Sequence, residues 1–385
     1  MKKKIAFVTS SRAEFGILKP LIKACKKSTS FEAKLIVTGT HLSSFFGKTE
    51  DEILNSGLTI DFKIPIIETA ASSNSDAAFI AAKAMKGFTE IFEKNKFDGL
   101  VILGDRFEIL SIAVTAFLMR IPIVHLHGGE KTSGSLDDST RHAITKLSSL
   151  HFTSTEAYRK RVIQLGEKPD KVFNVGALGL DGSQSGDFLN SNELEEDLNL
   201  TLNSKTAVCT FHPITVAGDN GLSELENLIE GLEASSLEAI IFTLPNMDPG
   251  NLEFRKAILN YSETSSKSIH CFESLGHKNY ISLLKVVELV VGNSSSGLIE
   301  APFFSRKVLN IGSRQEGRLS DPKFVKNIAA DAKQIQNAIN QSLKAPILKT
   351  PSLLHGDGNT TDKILKTLAK TDFSKLLKKD FYDQV

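Results

Sequence analysis

The stretch Gly99-Leu100-Val101-Ile102-Leu103-Gly104-Asp105-Arg106-Phe107-Glu108 decides the fold class. Its apolar run over Gly99–Leu103 reads as a buried strand. The apolar period that follows over Glu108–Met119 reads as a helix. A continuous apolar strand feeding straight into a helix is the mark of a parallel βαβ unit, whose sheet is covered on both faces. The same rhythm runs outward. In the first half the strand candidates are Lys4–Thr9, Ala33–Thr38, Ile121–Leu126, His151–Ser154 and Val172–Val175. Helical periods lie over Ile17–Lys27, Ala77–Lys94 and Arg141–Leu147. The second half restarts it, with strands at Thr206–Thr210, Ala239–Thr243, Ser268–Phe272, Leu289–Val291 and Val308–Ile311. Its helices fall at Leu222–Ala234, Leu252–Tyr261, Asn279–Val286 and Leu298–Phe303.

The rhythm breaks between Gly176 and Ser204, where four glycines are followed by the acidic, polar run Asn190–Asp197. The expectation is an α/β chain of two doubly wound, Rossmann-like domains, residues 1–178 and 179–360, with a central cleft. The last helix-like stretch, Thr361–Leu377 within 361–385, is expected to pack back on the first domain. The chain length of 385 residues agrees, because one hydrophobic core rarely grows that large.

Composition narrows the partners. The chain is 41% hydrophobic and 24% charged with a net charge of +1, so nothing marks it as a nucleic-acid or membrane binder. An anionic ligand must be met by a local site. Cys25, Cys209 and Cys271 are scattered and odd in number, which argues against a disulfide framework and fits a reducing cytoplasm. Met1-Lys2-Lys3-Lys4 resembles a signal-peptide start, but the apolar run Ile5–Val8 behind it is too short. No stretch reaches the ~20 apolar residues of a membrane span.

Polar residues gather where strands end, which is where a doubly wound fold binds its ligands. After the first strand comes Thr9-Ser10-Ser11-Arg12-Ala13-Glu14-Phe15-Gly16, a helix start suited to a phosphate, with Arg12 adding charge. An ordinary turn with a surface arginine reads equally well. Neither G-x-G-x-x-G nor G-x-x-x-x-G-K-[ST] is present, so no nicotinamide or P-loop fingerprint is found. Asp105 and Arg106 read as a general base with a phosphate ligand, or as a helix cap with a surface arginine. The densest cluster is His125-Leu126-His127-Gly128-Gly129-Glu130, followed by Asp137-Asp138 and Arg141-His142. Strand alternation would place His125 and His127 on one side. Acid–base work on a sugar is one role for them, and a Zn²⁺ site is another.

In the second half, Phe211-His212-Pro213 and Thr243-Leu244-Pro245-Asn246 end successive strands. Gly292-Asn293-Ser294-Ser295-Ser296-Gly297 then opens a helix suited to a diphosphate, with Glu300 placed for ribose hydroxyls. Arg314 and Arg318 follow a further strand.

At these residues the chain resembles the hydrolysing UDP-N-acetylglucosamine 2-epimerases of sialic acid biosynthesis. The matching stretches run in order: Ser11–Gly16, Gly104–Glu108, His125–Glu130, Asp137–Leu147, His212-Pro213, Pro245-Asn246, Gly292–Pro302 and Gly312–Arg318. The resemblance implies the GT-B fold and a homodimer or homotetramer. It also implies a reaction without metal or nicotinamide, in which UDP-N-acetylglucosamine and water give N-acetylmannosamine and UDP. It assigns Arg12, His212, Asn246, Ser294, Ser295, Glu300 and Arg314 to UDP, and sets Arg106 near the diphosphate. Asp105, His127 and Asp137 match acid–base positions, with His125, Asp138 and Arg141 as their support. Some relatives carry Glu where this chain has His127, so which group takes the sugar C2 proton stays open. Three competing readings stand beside this one. They are the same chemistry on a UDP- or GDP-2,4-diacetamido-2,4,6-trideoxy sugar, a GT-B glycosyltransferase, and a nucleotide-sugar-binding regulator without turnover.

Overall fold

Strand β1 (Lys3–Thr9) shows why the sheet runs are apolar without alternation. Ile5 and Phe7 pack into one layer with Leu18, Leu21, Ile364 and Leu368, while Ala6 and Val8 pack into another with Phe88 and Ile112. Each strand therefore buries both faces, as a parallel sheet between two helix layers requires. The computed structural model describes residues 2–44, 49–67, 74–132, 136–181, 188–214, 221–245 and 251–384.

The chain divides into two compact units. The first comprises Met1–Lys131, Leu136–Gly182 and His355–Val385; the second comprises Thr132–Ser135 and Ser183–Leu354. The sequence reading drew the limits at 178 and 360. Within the first unit, Ala177 donates to the His355 carbonyl at 2.6 Å, and Asp181 accepts from the Thr360 N–H at 2.7 Å.

The first unit holds a parallel sheet of β2 (Phe31–Thr38), β3 (Phe62–Ile64), β4 (Gly99–Leu103), β5 (Ile123–Leu126), β6 (Leu150–Thr153) and β7 (Val172–Asn174) with β1, in the order β3-β2-β1-β4-β5-β6-β7. Helices α1 (Arg12–Lys27), α2 (Glu50–Asn55), α3 (Asn74–Lys94), α4 (Phe107–Leu118), α5 (Leu136–Leu147) and α6 (Glu156–Gln164) connect the strands. The second unit begins with α7 (Ser191–Leu198). Its sheet, in the order β10-β9-β8-β11-β12-β13, is built from β8 (Thr206–Thr210), β9 (Ala239–Thr243), β10 (Ser268–Phe272), β11 (Leu289–Gly292), β12 (Lys307–Ile311) and β13 (Val325–Ile328). Helices α8 (Leu222–Glu233), α9 (Asn251–Thr264), α10 (Gly276–Val286), α11 (Ser295–Phe303) and α12 (Ala332–Lys344) connect these strands. The chain then returns to the first unit with α13 (Thr360–Lys370), which lies against α1 through Ile364 and Leu368.

Six of these elements, α2, α6, α7, α12, β3 and β13, are not among those read from the sequence. The acidic run Asn190–Asp197, read only as part of the break in the rhythm, is helical. Asn190 and Glu193 form a reciprocal capping box, and Leu194 is fully buried. Strands β3 and β13 lacked an apolar run because both are sheet edges; Lys326 and Asn327 of β13 are exposed. Among the described residues no helix is long and apolar enough to cross a membrane.

Candidate functional site

Each sheet has one place where the strand order reverses: between β1 and β4 in the first unit, and between β8 and β11 in the second. Loops leaving the carboxyl ends of such strands part to opposite faces and leave a crevice.

In the first unit, β1 ends at Thr9 and Ser11 caps α1 by accepting from the Glu14 N–H at 3.5 Å. Arg12 opens the helix and is half-buried. Ser10 and Glu14 are buried, and the Glu14 carboxylate accepts from the Ser10 N–H at 2.7 Å. Next door, β4 runs into Gly104, Asp105 and Arg106. The Arg106 Nε donates to buried Glu108 at 2.5 Å.

Arg141 of α5 ties this corner to β5. It is 1% exposed and reaches the Asp105 carboxylate, the Glu130 carbonyl at 3.1 Å and Asp138 at 3.6 Å. Burial works against its charge, but Asp105 and Glu130 outweigh that and raise its pKa above the usual value. Asp137 stands exposed on the first turn of α5, one residue from the Asp138 that faces Arg141.

The two histidines separate. His125 is buried, its Nε2 lies 2.8 Å from the Gly104 carbonyl and its Nδ1 lies 3.2 Å from Thr145 Oγ1. Burial pushes its pKa down to about 3, so the ring is neutral and braces the β4 end. Strand alternation does not continue to His127. Strand β5 stops at Leu126, and His127 takes the left-handed backbone region with φ of 62°. Its Nδ1 lies 3.0 Å from the Glu130 carboxylate, and its Nε2 accepts from the Leu178 N–H at 3.2 Å. The second bond leaves Nε2 without a proton and puts the proton on Nδ1, facing Glu130. Gly129, with φ of 78°, permits the turn that brings Glu130 back, because a Cβ there would sit 2.5 Å from the Tyr158 carbonyl. These bonds also remove the geometry of a His125–His127 zinc pair. Among the described residues, no group of three or more His, Cys, Asp or Glu side chains is placed to hold a metal ion.

The second unit's reversal point is built differently. Asn293, fully buried after β11, clamps the main chain after β8. Its Oδ1 accepts from the His212 N–H at 2.7 Å and its Nδ2 donates to the His212 carbonyl at 2.9 Å. The Asn293 carbonyl in turn accepts from Gln315 at 2.7 Å and Arg314 at 3.1 Å. Gly292, with φ of 133°, allows the approach; a Cβ there would lie 2.0 Å from the Thr210 carbonyl. The His212 ring is buried, and its Nδ1 has no hydrogen-bond partner among the described residues. Burial, with Arg314 beside it, pushes its pKa down to about 3. Ser294 caps α11 by accepting from the Ser296 N–H at 3.4 Å, and Ser295 is the first helical residue. Tyr280 meets Ser296 Oγ at 2.6 Å. Glu300 lies half-buried in the second turn of α11. Asn246 lies outside the described residues.

Asp105, Arg106, His125, His127, Asp138 and Arg141 thus share one corner of the first unit. His212, Ser294, Ser295, Glu300 and Arg314 share one region of the second. The sequence reading gave no role to Ser10, Glu14, Glu108, Glu130, Asn293 or Gln315. The spacing of His127 and Glu130 across two glycines was a usable signal for that pair; nothing local marks Gln315.

Comparison with known proteins gives a consistent result. The family model described as UDP-N-acetylglucosamine 2-epimerase matches residues 23–369. The chain is 37% identical to GDP/UDP-N,N'-diacetylbacillosamine 2-epimerase (hydrolyzing) of Campylobacter jejuni subsp. jejuni, over 99% of each chain. It is 34% identical to UDP-N,N'-diacetylbacillosamine 2-epimerase (hydrolyzing) of Legionella pneumophila subsp. pneumophila, over 96% of this chain and 97% of the relative. Its fold matches the crystal structure of UDP-GlcNAc 2-epimerase from Neisseria meningitidis bound to UDP-GlcNAc. That match has a TM-score of 0.78 at 19% identity and covers 96% of this chain and 100% of the other, giving the two-domain, GT-B-like architecture.

Proposed function

The chain belongs to the UDP-N-acetylglucosamine 2-epimerase family, and from that premise we propose that it hydrolyses and 2-epimerises a nucleotide-activated 2,4-diacetamido-2,4,6-trideoxy sugar. The observation that carries the choice of sugar is the full-length similarity, at 37% and 34% identity, to two relatives named for N,N'-diacetylbacillosamine. The sequence resemblance had put UDP-N-acetylglucosamine first; these relatives reverse that order. UDP-N-acetylglucosamine remains the second reading, favoured by the description of the family model.

The chemistry divides by unit. The proton at C2 of a 2-acetamido sugar is not acidic, so removing it alone would leave a high-energy carbanion. Removal is feasible when the C1–O bond breaks in the same process and the nucleoside diphosphate carries off the electron pair. The product is a 1,2-unsaturated glycal. The leaving diphosphate is met by the amides and hydroxyls at the start of α11 and by Arg314. Asp105, held by Arg141, takes the C2 proton. His127, with Glu130 fixing its tautomer, supplies a nitrogen lone pair at Nε2 whose present partner is a 3.2 Å backbone N–H. Between the two steps Asp105 returns its proton to solvent and His127 takes one at Nε2; His127 then delivers it to C2 from the other face while water adds its OH at C1 and leaves its own proton on Asp105.

The test is parallel incubation with UDP- and GDP-linked N,N'-diacetylbacillosamine and with UDP-N-acetylglucosamine, following nucleotide release and the freed sugar by NMR. Higher kcat/KM on a diacetamido substrate, with release of its 2-epimer, is the expected result. Preference for UDP-N-acetylglucosamine would establish the second reading, and no release from any of them would overturn both.

A further inference from the structure

The first unit's reversal point contains two buried carboxyl groups joined by one hydroxyl. Ser10 Oγ lies 2.8 Å from Glu14 Oε2 and 2.9 Å from Glu108 Oε1. Ser10 is fully buried, Glu14 is 8% exposed and Glu108 is 3% exposed. The other oxygens of the pair, Glu14 Oε1 and Glu108 Oε2, are buried and have no hydrogen-bond partner among the described residues.

A count of hydrogens fixes the protonation. A serine hydroxyl has one proton and can donate to one carboxylate only. If both carboxyls were ionised, the remaining 2.8–2.9 Å contact would set two lone pairs against each other inside the protein. The contact becomes a hydrogen bond when one carboxyl carries its own proton. Glu108 Oε1 already accepts from the Arg106 Nε at 2.5 Å and faces the Ser10 hydroxyl, so the extra proton is placed on Glu14. The bonds then run from the Glu14 acid to Ser10 Oγ and from the Ser10 hydroxyl to Glu108 Oε1, the same oxygen that accepts from Arg106. Burial pushes the Glu14 pKa up to about 7, with Glu108 adding to the effect against the opposing pull of Arg106 and the Ser10 bonds. His41, another titratable group near this end of β1, faces Thr9 and Thr49 through its two ring nitrogens.

We propose that Glu14 is a neutral carboxylic acid in the working protein, and that Glu14, Ser10 and Glu108 position Arg106 and preserve its positive charge for the anionic part of the substrate. The choice of anion rests on the nucleotide-sugar reading; the protonation of Glu14 does not. With Glu14 neutral, Glu108 and Arg106 balance, and a diphosphate meets an arginine held by one carboxylate. When Glu14 ionises, the same arginine faces two carboxylates, and the corner becomes net negative. Anion binding therefore favours the protonated form, and loading the site at neutral pH draws a proton from solvent.

Infrared difference spectroscopy with Glu14→Gln tests the protonation without any ligand. At pH 6 the wild-type protein is expected to show a protonated-carboxyl C=O band that the variant lacks. Glu108→Gln is the second variant. Ser10 Oγ and Arg106 Nε both meet Glu108 Oε1, so the amide oxygen of the variant keeps that place, Ser10 still donates to it, and the Glu14 band should persist. Calorimetry with UDP supplies the functional readout. Wild-type affinity should weaken roughly three- to tenfold relative to Glu14→Gln between pH 6 and 8.5, with proton uptake on binding in the wild type only. A wild-type spectrum without the band, a band that survives in Glu14→Gln, or one that vanishes in Glu108→Gln overturns the proposal, as do identical pH slopes for wild type and Glu14→Gln. Failure of UDP to bind either protein while the band behaves as stated would count against the nucleotide reading alone.

Discussion

The two reversal points occupy the same place in two similar sheets, yet they are held by opposite means. The first is held by charge: Asp105 against Arg141, Glu108 against Arg106, and Glu130 beside His127. The second is held mostly by neutral groups, with Arg314 donating to one main-chain carbonyl: an asparagine clamped to main chain, a buried neutral histidine, and the hydroxyls at the start of α11. The contrast teaches what each region can do. Ion pairs among groups that gain and lose protons can pass a proton to and from a carbon. A rigid set of N–H and O–H donors can receive a charged leaving group without having to titrate.

The strongest way to break this contrast is Asp105→Asn. It keeps the shape and removes the proposed base, so turnover should fall by ~10²–10⁴ while UDP affinity, measured by calorimetry, stays near wild type. Equal losses in turnover and affinity would merge the two regions into one binding site. Glu130→Gln sharpens the picture within the first unit. The Leu178 bond keeps the tautomer, but without the carboxylate the protonated His127 loses its counter-charge, and kcat should fall on the order of 10²-fold with little change in UDP affinity. An unaltered kcat would return His127 to a purely structural role.

Asn293→Ala makes the converse test in the second unit. It strips the buried His212 N–H and carbonyl of their partners, each worth about 1–3 kcal/mol when left unsatisfied. UDP affinity should drop by about tenfold or more. Single-turnover chemistry at saturating substrate should change less than the affinity does. A variant that binds UDP normally would place the nucleotide elsewhere.

The doubly wound class was legible because both faces of every central strand are buried, which leaves an apolar run that cannot be missed. Edge strands β3 and β13 and helix α7 escaped because their signals are local: a three-residue edge, two exposed residues, one capping box. In the site, charged residues at strand ends could be named from the sequence, since position after a strand is visible there. Partnership was not. That His127 turns off its strand to meet Glu130 depends on the backbone at His127 and Gly129. That Ser10 bridges Glu14 and Glu108 depends on β1 lying beside β4, a contact between residues 98 apart.

A smaller effect concerns acid. Burial pushes the pKa values of His41, His125 and His212 down to about 4, 3 and 3 from an ordinary 6.5. The unfolded chain therefore binds more protons than the folded one below pH 6.5. Stability is fully present above that pH and is lost as pH falls toward 3–4, by roughly 2 kcal/mol per histidine at pH 5. Melting curves from pH 7 to 5 should show a decline that His212→Asn makes shallower. Parallel curves would mean that His212 protonates in the folded state.

The central proposal is that a proton leaves C2 as the nucleoside diphosphate departs and a different proton is returned there. Turnover in D₂O on whichever nucleotide sugar the enzyme accepts tests it most directly. The account predicts a freed 2-epimeric sugar carrying deuterium at C2, because the proton removed and the proton returned belong to different groups. A freed 2-epimer that retains protium at C2 would contradict it, since that outcome requires inversion without exchange, by oxidation elsewhere on the ring or by internal return of the same proton.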